Sequence, residues 1–557
     1  MEGSSKFGCF LIFFIIIAVE GNRYPRITVP EGEIEGYYKT AHNGKTFAAF
    51  EGIPYAKPPV GELRFQEPQP VTEWRGIWIA NQTVKCLQHS HFGYETVGQE
   101  DCLYLNIYTP AKIIWTEPLD VIVHIHGGAF MFGTGHVWGP EILLENRVIY
   151  ITINYRLGPL GFLSTEDSVC PGNNGLKDQA VALRWIKDKI AHFGGNPNSI
   201  TLTGMSAGGA SVTYHYMSSW SKNLFTRGFA QSGSALNPWA FSENNLEKAK
   251  ILGNSVGCYD DTTKELINCL RTRPAQNIVS NVKKFLGYLY NPFSPFGPTI
   301  EKGGNNPFLA EAPYKLMKEG KIQDIPIIFS VSQAEGLYPA GEFISNQRYL
   351  SDINNKWFSL APHLLDFNFT VPEHRRDEVS RNIRRYYLKD KAISTENFVP
   401  FVQIFTDRLF IATIEETIRL FINAIKSPVY FQYFNYRGEY SFSQKISHVN
   451  ANLGVSHCDD SMYVLPFTYT PPLKSKDSQK MTEIMTHLWL TFAKTSVPRV
   501  AGVDYRPVKI QNGNFNYLDI EHPNKISMKS SKSLSNFDFW NSLPLNENKN
   551  FVLSTNL

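Results

Sequence analysis

Residues 200–217 constrain this chain more than any other stretch. Ile200-Thr201-Leu202-Thr203 is a short apolar and β-branched run that predicts a buried strand. Gly204-Met205-Ser206-Ala207-Gly208 follows at once, and the small residues from 207 to 217 predict a helix. A strand that turns directly into a helix around such a serine drives the Ser206 hydroxyl out of the sheet. Glycines at 204 and 208 remove side chains that would collide in so sharp a turn. The helix start adds unpaired backbone N–H groups and a positive dipole end, both suited to an anion forming beside Ser206. A bare Gly-x-Ser-x-Gly can be an ordinary tight turn. The strand before it and the helix after it favour the catalytic reading.

Other short apolar runs lie at 121–126, 148–153, 325–329 and 428–434 and predict further buried strands. Between them, Leu176, Ala180, Leu183, Ile186, Ile190 and Phe193 recur at helical spacing, with Lys177, Asp178, Arg184, Lys187 and Asp188 largely off that face. A last amphipathic helix is expected over 480–494. Strands alternating with helices imply an α/β fold, a mostly parallel central sheet with helices on both faces. The Pro- and Gly-rich stretches at 291–298 and 303–307 read as loops in long insertions. Length alone, 557 residues, would suggest three or four domains, but no boundary demands a second one. The net charge of +3, from 54 basic and 51 acidic residues intermixed, gives no field for nucleic acid.

A serine needs an oxyanion site, a base and an acid to orient the base. His126-Gly127-Gly128-Ala129-Phe130 follows the strand at 121–125, where small residues allow bare amides to approach a substrate oxygen. Backbone N–H groups of Gly128, Ala129 and Ala207 are the expected donors. Metal binding by His124 and His126 is the rival reading, and it lacks a neighbouring acidic or cysteine ligand; a metal role for His89 and His91 is met with the same scepticism. The acid is expected after a later strand, and Glu335 in Ser332-Gln333-Ala334-Glu335-Gly336 fits; by position alone it could equally be an ordinary solvated loop carboxylate. The base is expected beyond the last central strand. His457 and His448 both satisfy that position.

Export is written at the N-terminus. Lys6 precedes the apolar run 7–19, which is shorter than the ~18 residues a spanning helix needs, and small residues at 19 and 21 predict cleavage after Gly21. A signal peptide at 1–21 would leave a single domain over 22–557, secreted and without a stable membrane anchor. Cys9 would leave with the leader. Of the remaining cysteines, Cys86 with Cys102 and Cys258 with Cys269 lie closest in sequence, but six cysteines allow 15 pairings. Asn81-Gln82-Thr83 and Asn368-Phe369-Thr370 are glycosylation acceptors.

The chain resembles the type-B carboxylesterase/cholinesterase family. The resemblance is carried by Phe50-Glu51-Gly52-Ile53-Pro54-Tyr55-Ala56, Glu100-Asp101-Cys102-Leu103-Tyr104-Leu105-Asn106 and His126–Phe130. It continues in Asn154-Tyr155-Arg156-Leu157-Gly158, Gly204–Gly209, Gln231-Ser232-Gly233-Ser234 and Gly454–His457. It implies an α/β-hydrolase fold and the triad Ser206, Glu335 and His457 in place of His448. It also implies the disulfides Cys86–Cys102 and Cys258–Cys269, the structural ion pairs Arg64–Glu100 and Arg156–Asp178, and a supporting place for Ser232. The pattern is most similar to secreted insect carboxylesterases.

Departures bear on substrate. Cholinesterases carry a tryptophan between the first cysteine pair to hold a quaternary ammonium, and 87–101 contains none. Ala129 and Cys458 stand where relatives often have glycine, and Met205 where juvenile hormone esterases typically have glutamine. The expected activity is hydrolysis of small-molecule carboxylic esters, which requires no metal or cofactor. The alternatives are a slow-turnover member that sequesters esters or organophosphates, a non-catalytic binding member, or a juvenile hormone esterase. Oligomeric state and natural ester are not specified by these motifs.

Overall fold

The computed structural model describes residues 24–93, 95–112, 116–259, 261–468 and 470–547. The expected leader at 1–21, its cleavage point and Cys9 lie outside the described residues.

One twelve-stranded sheet organises the described chain. Its strands, labelled in chain order, begin with β1 Tyr37–Thr40, β2 Thr46–Pro54, β3 Tyr104–Pro110, β4 Leu119–Ile125 and β5 Ile149–Ile153. They continue with β6 Gly195–Met205, β7 Arg227–Gln231, β8 Ile327–Ser332 and β9 Val429–Phe434. The last are β10 Ile510–Gln511, β11 Asn514–His522 and β12 Lys525–Ser531. Strands β5, β4, β6, β7, β8, β9 and β11 run parallel to one another, in that spatial order. Antiparallel strands close both edges: β3, β2 and β1 beyond β5, and β10 and β12 against β11. The sheet is therefore mixed, with a parallel centre and helices covering both sides.

The central strands form where the sequence is continuously apolar. Every residue of β5 and β8 is buried, as expected for strands covered on both faces. The edge strand β12 instead alternates between exposed and half-buried positions. Helix α1, Asn174–Lys189, runs on as a 3₁₀ turn, Ile190–Phe193, and buries Leu176, Ala180, Leu183 and Ile186. Lys177 and Asp178 depart from the expected polar face, for both are buried. Their charges are matched: Lys177 Nζ donates to Glu301 at 2.7 Å, and Asp178 takes Arg156 Nη2 at 2.7 Å and Nε at 2.8 Å. Paired in this way, burial does not strand a charge. The helix expected over 480–494 spans Lys476–Thr495, beginning four residues earlier than the periodicity suggests at a Ser475 cap that accepts from the Ser478 N–H, and a further short helix, Phe537–Ser542, follows it.

Candidate active site

The parallel centre aims its carboxyl ends at one place. Strand β6 ends at Met205, and helix α2, Ala207–Met217, begins at the next residue but one, leaving Ser206 as the hinge. Its backbone sits at φ 60° and ψ −122°, a conformation that costs an L-residue about 1–3 kcal/mol. The Ser206 N–H donates to Gln231 O at 2.8 Å and its carbonyl accepts from the Ala210 N–H at 2.9 Å, which holds the turn. The flanking glycines are steric necessities. A Cβ on Gly204 would lie 2.3 Å from Gly208 C, and one on Gly208 would lie 2.0 Å from Ile125 O.

The loop after β4 runs beneath this turn. Gly128 adopts φ 112°, and a Cβ there would sit 1.9 Å from Phe132 O. Ala129 and Phe130 follow at φ 55° and 59°, so three successive residues are left-handed or nearly so. The loop is pinned by Ser294, whose hydroxyl donates to Ala129 O at 2.8 Å, and by Tyr155, whose hydroxyl donates to His126 O at 3.0 Å. Among the described residues, the N–H groups of Gly128 and Ala129 donate to no other group of the protein. The Ala207 N–H opens α2 and has no acceptor within the helix.

Glu335 lies three residues beyond β8 and His457 lies in the segment 454–460. A backbone bond from the Ala334 N–H to Val455 O, 2.8 Å, ties the two segments together. His457 Nδ1 donates to Glu335 Oε2 at 2.6 Å. Glu335 Oε1 accepts from the Ser232 hydroxyl and from the Ser332 N–H, both at 2.6 Å. Glu335 is fully buried and His457 is 2% exposed. His448 is exposed at the end of the helix Phe442–Ser447.

Ser206 and His457 open onto one cavity of about 390 Å³, together with Gly128 and Ala129. Phe132, Trp138, Tyr338, Phe442 and Phe467 make its walls largely aromatic, with Lys85, Glu95 and Lys445 also in the lining. Trp138 was not legible as a site residue. It lies outside the segment between the first cysteine pair, where the cholinesterase tryptophan is expected. Cys458 also lines the cavity, its sulfur 3.0 Å from Met205 Sδ.

The other histidines serve elsewhere. His124 Nδ1 is hydrogen-bonded with Thr203 Oγ1 at 3.0 Å, and His126 Nδ1 donates to Gly127 O at 2.8 Å while its ring stacks on Tyr155. Burial lowers their pKa to about 3 and about 4, so both stay neutral. Among the described residues no three His, Cys, Asp or Glu side chains are grouped as metal ligands would be. His91 is buried against Phe132 and Tyr290, and His89 lies near Thr96.

The cysteines are joined as Cys86–Cys102 and Cys258–Cys269, while Cys170 and Cys458 are free and buried. Arg64 ties the first disulfide loop to the end of the helix Thr263–Thr272: it holds Glu100 at 2.6 Å and donates to Leu270 O at 3.1 Å. Asn81 is exposed, whereas Asn368 is 7% exposed, so of the two acceptors only Asn81 is presented at the surface. Among the described residues no helix is long and apolar enough to cross a membrane.

Sequence reasoning had no access to three neighbours of His457. Tyr338 and Phe410 place rings against it, and Asp459 anchors its segment by accepting from the Phe442 and Ser456 N–H groups, each at 2.8 Å.

This sheet, with its elbow at the end of β6, defines an α/β-hydrolase. The carboxylesterase family profile matches residues 23–540, and the chain belongs to that family: it is a carboxylic ester hydrolase. Venom carboxylesterase-6 of Apis mellifera is 40% identical over 98% of this chain and 99% of its own. Esterase FE4 of Myzus persicae is 40% identical over 88% of this chain and 87% of its own. The solved structure of juvenile hormone esterase from Manduca sexta, with OTFP covalently attached, superposes with a TM-score of 0.79. It is 28% identical and covers 93% of this chain and 99% of its own.

Proposed function

We propose that the protein hydrolyses small, largely apolar carboxylic esters through an acyl-enzyme on Ser206. His457 Nε2 takes the Ser206 proton as Oγ bonds to the ester carbonyl carbon, and Glu335 holds the imidazole in the tautomer that permits this. The carbonyl oxygen becomes an oxyanion facing the N–H groups of Gly128, Ala129 and Ala207, each donor worth about 3–4 kcal/mol in comparable sites. Collapse breaks the ester C–O bond, and the proton on His457 passes to the departing alcohol oxygen. Water then attacks the acyl-enzyme, its proton moving to His457 and on to Ser206 Oγ as the acid leaves.

The observation that carries this reading is the buried His457–Glu335 bond of 2.6 Å beside a cavity that Ser206 also lines. The aromatic walls favour apolar esters, and the absence of a tryptophan over 87–101 argues against choline esters. A general carboxylesterase fits better than a juvenile hormone esterase, since Met205 occupies the elbow position where glutamine would be expected. The chain is proposed to be secreted after loss of residues 1–21, as a single domain over 22–557, with a glycan on Asn81.

The test is turnover of a nitrophenyl ester by purified protein, with labelling by a fluorophosphonate. Ser206→Ala should abolish both. Labelling with a burst but negligible steady turnover would support sequestration, and labelling that survives in Ser206→Ala would sink the proposal. A panel of acyl lengths with juvenile hormone included assigns the ester.

A further inference from the structure

The ring of His457 is not held by Glu335 alone. Phe410 approaches it at a centroid distance of 4.7 Å and an angle of 42°. Tyr338 lies against it at 5.7 Å and only 12° from parallel. Tyr338 stands three residues beyond Glu335, at the start of the helix Leu337–Ser345, so the acid and this ring arrive on one short segment.

Tyr338 is itself held at both face and edge. Its far face stacks near Tyr290, at 6.0 Å and 12°, and Tyr290 stacks on His91 at 5.1 Å and 14°. A hydrogen bond of 3.2 Å joins the Tyr338 hydroxyl to His91 Nδ1. His91 comes from the loop closed by Cys86–Cys102, is 3% exposed, and leaves its Nε2 without a hydrogen-bond partner.

In the acylation step His457 becomes an imidazolium. A cation close to the face of an aromatic ring is stabilised by the ring quadrupole, by about 0.5–2 kcal/mol according to how dry the site is. Tyr338 and His457 are both buried. We infer that Tyr338, fixed by His91, is a positioning residue that keeps the His457 ring aligned and stabilises its protonated form during ester hydrolysis. This rests on His457 being the base. His91 would then act on the reaction through Tyr338, without touching substrate.

The other ionisable groups facing His457 are accounted for. Glu335 is its hydrogen-bond partner, and Ser206 lines the same cavity. Cys458, Asp459 and Asp460 follow it on its own segment, with Asp460 accepting from the Ser330 hydroxyl at 2.7 Å and Gln231 Nε2 at 3.0 Å. Phe410 carries no charge. None of these groups changes in the variants below.

The test measures kcat, KM and the pH profile of kcat/KM on a nitrophenyl ester. Tyr338→Leu removes the ring, so the imidazolium loses its neighbour. The acid limb should move down by about 0.4–1.5 pH units and kcat should fall about 2- to 30-fold. Tyr338→Phe and His91→Phe each remove the hydrogen bond and keep a ring. Each should lower kcat by about 2- to 10-fold with KM unchanged, and the double variant should lose no more than either single. Additive losses in the double variant would overturn the coupling, as would a loss confined to KM. An unmoved acid limb in Tyr338→Leu would overturn the stabilisation. If Tyr338→Leu does not fold, the Phe variants decide the question. His457→Ala separates the two levels: full activity there removes the underlying mechanism, whereas an inactive His457→Ala beside an unaltered Tyr338 series removes this inference alone.

Discussion

Glu335→Gln exchanges one oxygen for an amide nitrogen, and the site dictates how the amide must sit. Oε1 of Glu335 accepts from the Ser332 N–H and the Ser232 hydroxyl, both at 2.6 Å, while Oε2 accepts from His457 Nδ1 at 2.6 Å. A backbone N–H can only donate, so the single glutamine oxygen must stay at the Ser332 side. Its NH₂ then faces His457 Nδ1 and requires a lone pair there. The imidazole proton moves to Nε2, which can no longer take a proton from Ser206. Flipping the amide instead leaves buried donors face to face, at about 1–3 kcal/mol, so the unproductive tautomer is favoured about 5- to 150-fold. The imidazolium also loses a contacting carboxylate, worth about 4 kcal/mol at an effective dielectric of about 20. Together these reduce kcat about 10⁴-fold, or about 5.5 kcal/mol. The assay is steady-state hydrolysis of nitrophenyl acetate, normalised to sites titrated with a fluorophosphonate, with melting temperature as a control on folding. A folded variant that lost less than about tenfold in kcat would refute the tautomer argument.

Further outcomes follow from other contacts. Gly128→Ala would press a Cβ to 1.9 Å from Phe132 O at φ 112°, so the loop must move; the expected loss is about 10²–10³ in kcat for one displaced oxyanion donor. Ala129→Gly, which keeps its N–H, should retain near-normal turnover in the same assay. Buried His91, His124 and His215, each lowered to about 3 by desolvation, resist protonation while their unfolded counterparts charge near pH 6.5. Their depressed pKa makes stability fall as pH drops from about 6.5 towards 3, by about 2 kcal/mol per histidine at pH 5. Urea unfolding at pH 7 and pH 5 should therefore show a smaller acid-side loss for His124→Gln than for the parent chain. Asn81→Gln should lower the mass of protein exported from a eukaryotic host by one glycan, whereas Asn368→Gln should leave it unaltered.

The elbow and the central strands were legible because their determinants are local. The Ile200–Thr203 run, the glycines and the small-residue helix all fall within one short stretch. The run at 148–153 becomes a fully buried strand for the same reason. The antiparallel edges were not, since β12 alternates half-buried and exposed residues and offers no apolar run. Lys177 and Asp178 look like solvent-facing charges until Glu301 and Arg156 arrive from distant segments. The same limit applies at the site. Met205, Ser206 and Ala207 declare themselves, but the His91–Tyr338 bond joins residues 247 positions apart and leaves no periodic trace.

The backbone bond between Ala334 and Val455 bears on how such a chain diversifies. Acid and base sit on segments 122 residues apart, yet strands β8 and β9 pair directly and the bond clamps the residues just beyond β8 to the later segment that carries His457. Much of the chain between Glu335 and β9 is excursion: it leaves one sheet strand and returns to its neighbour. Lengthening or rebuilding that excursion, so long as Tyr338 and Phe410 keep their places against His457, reshapes what surrounds the scissile bond without altering the registration of the two residues that activate the serine. Reactivity is inherited with the sheet, while selectivity is free to drift.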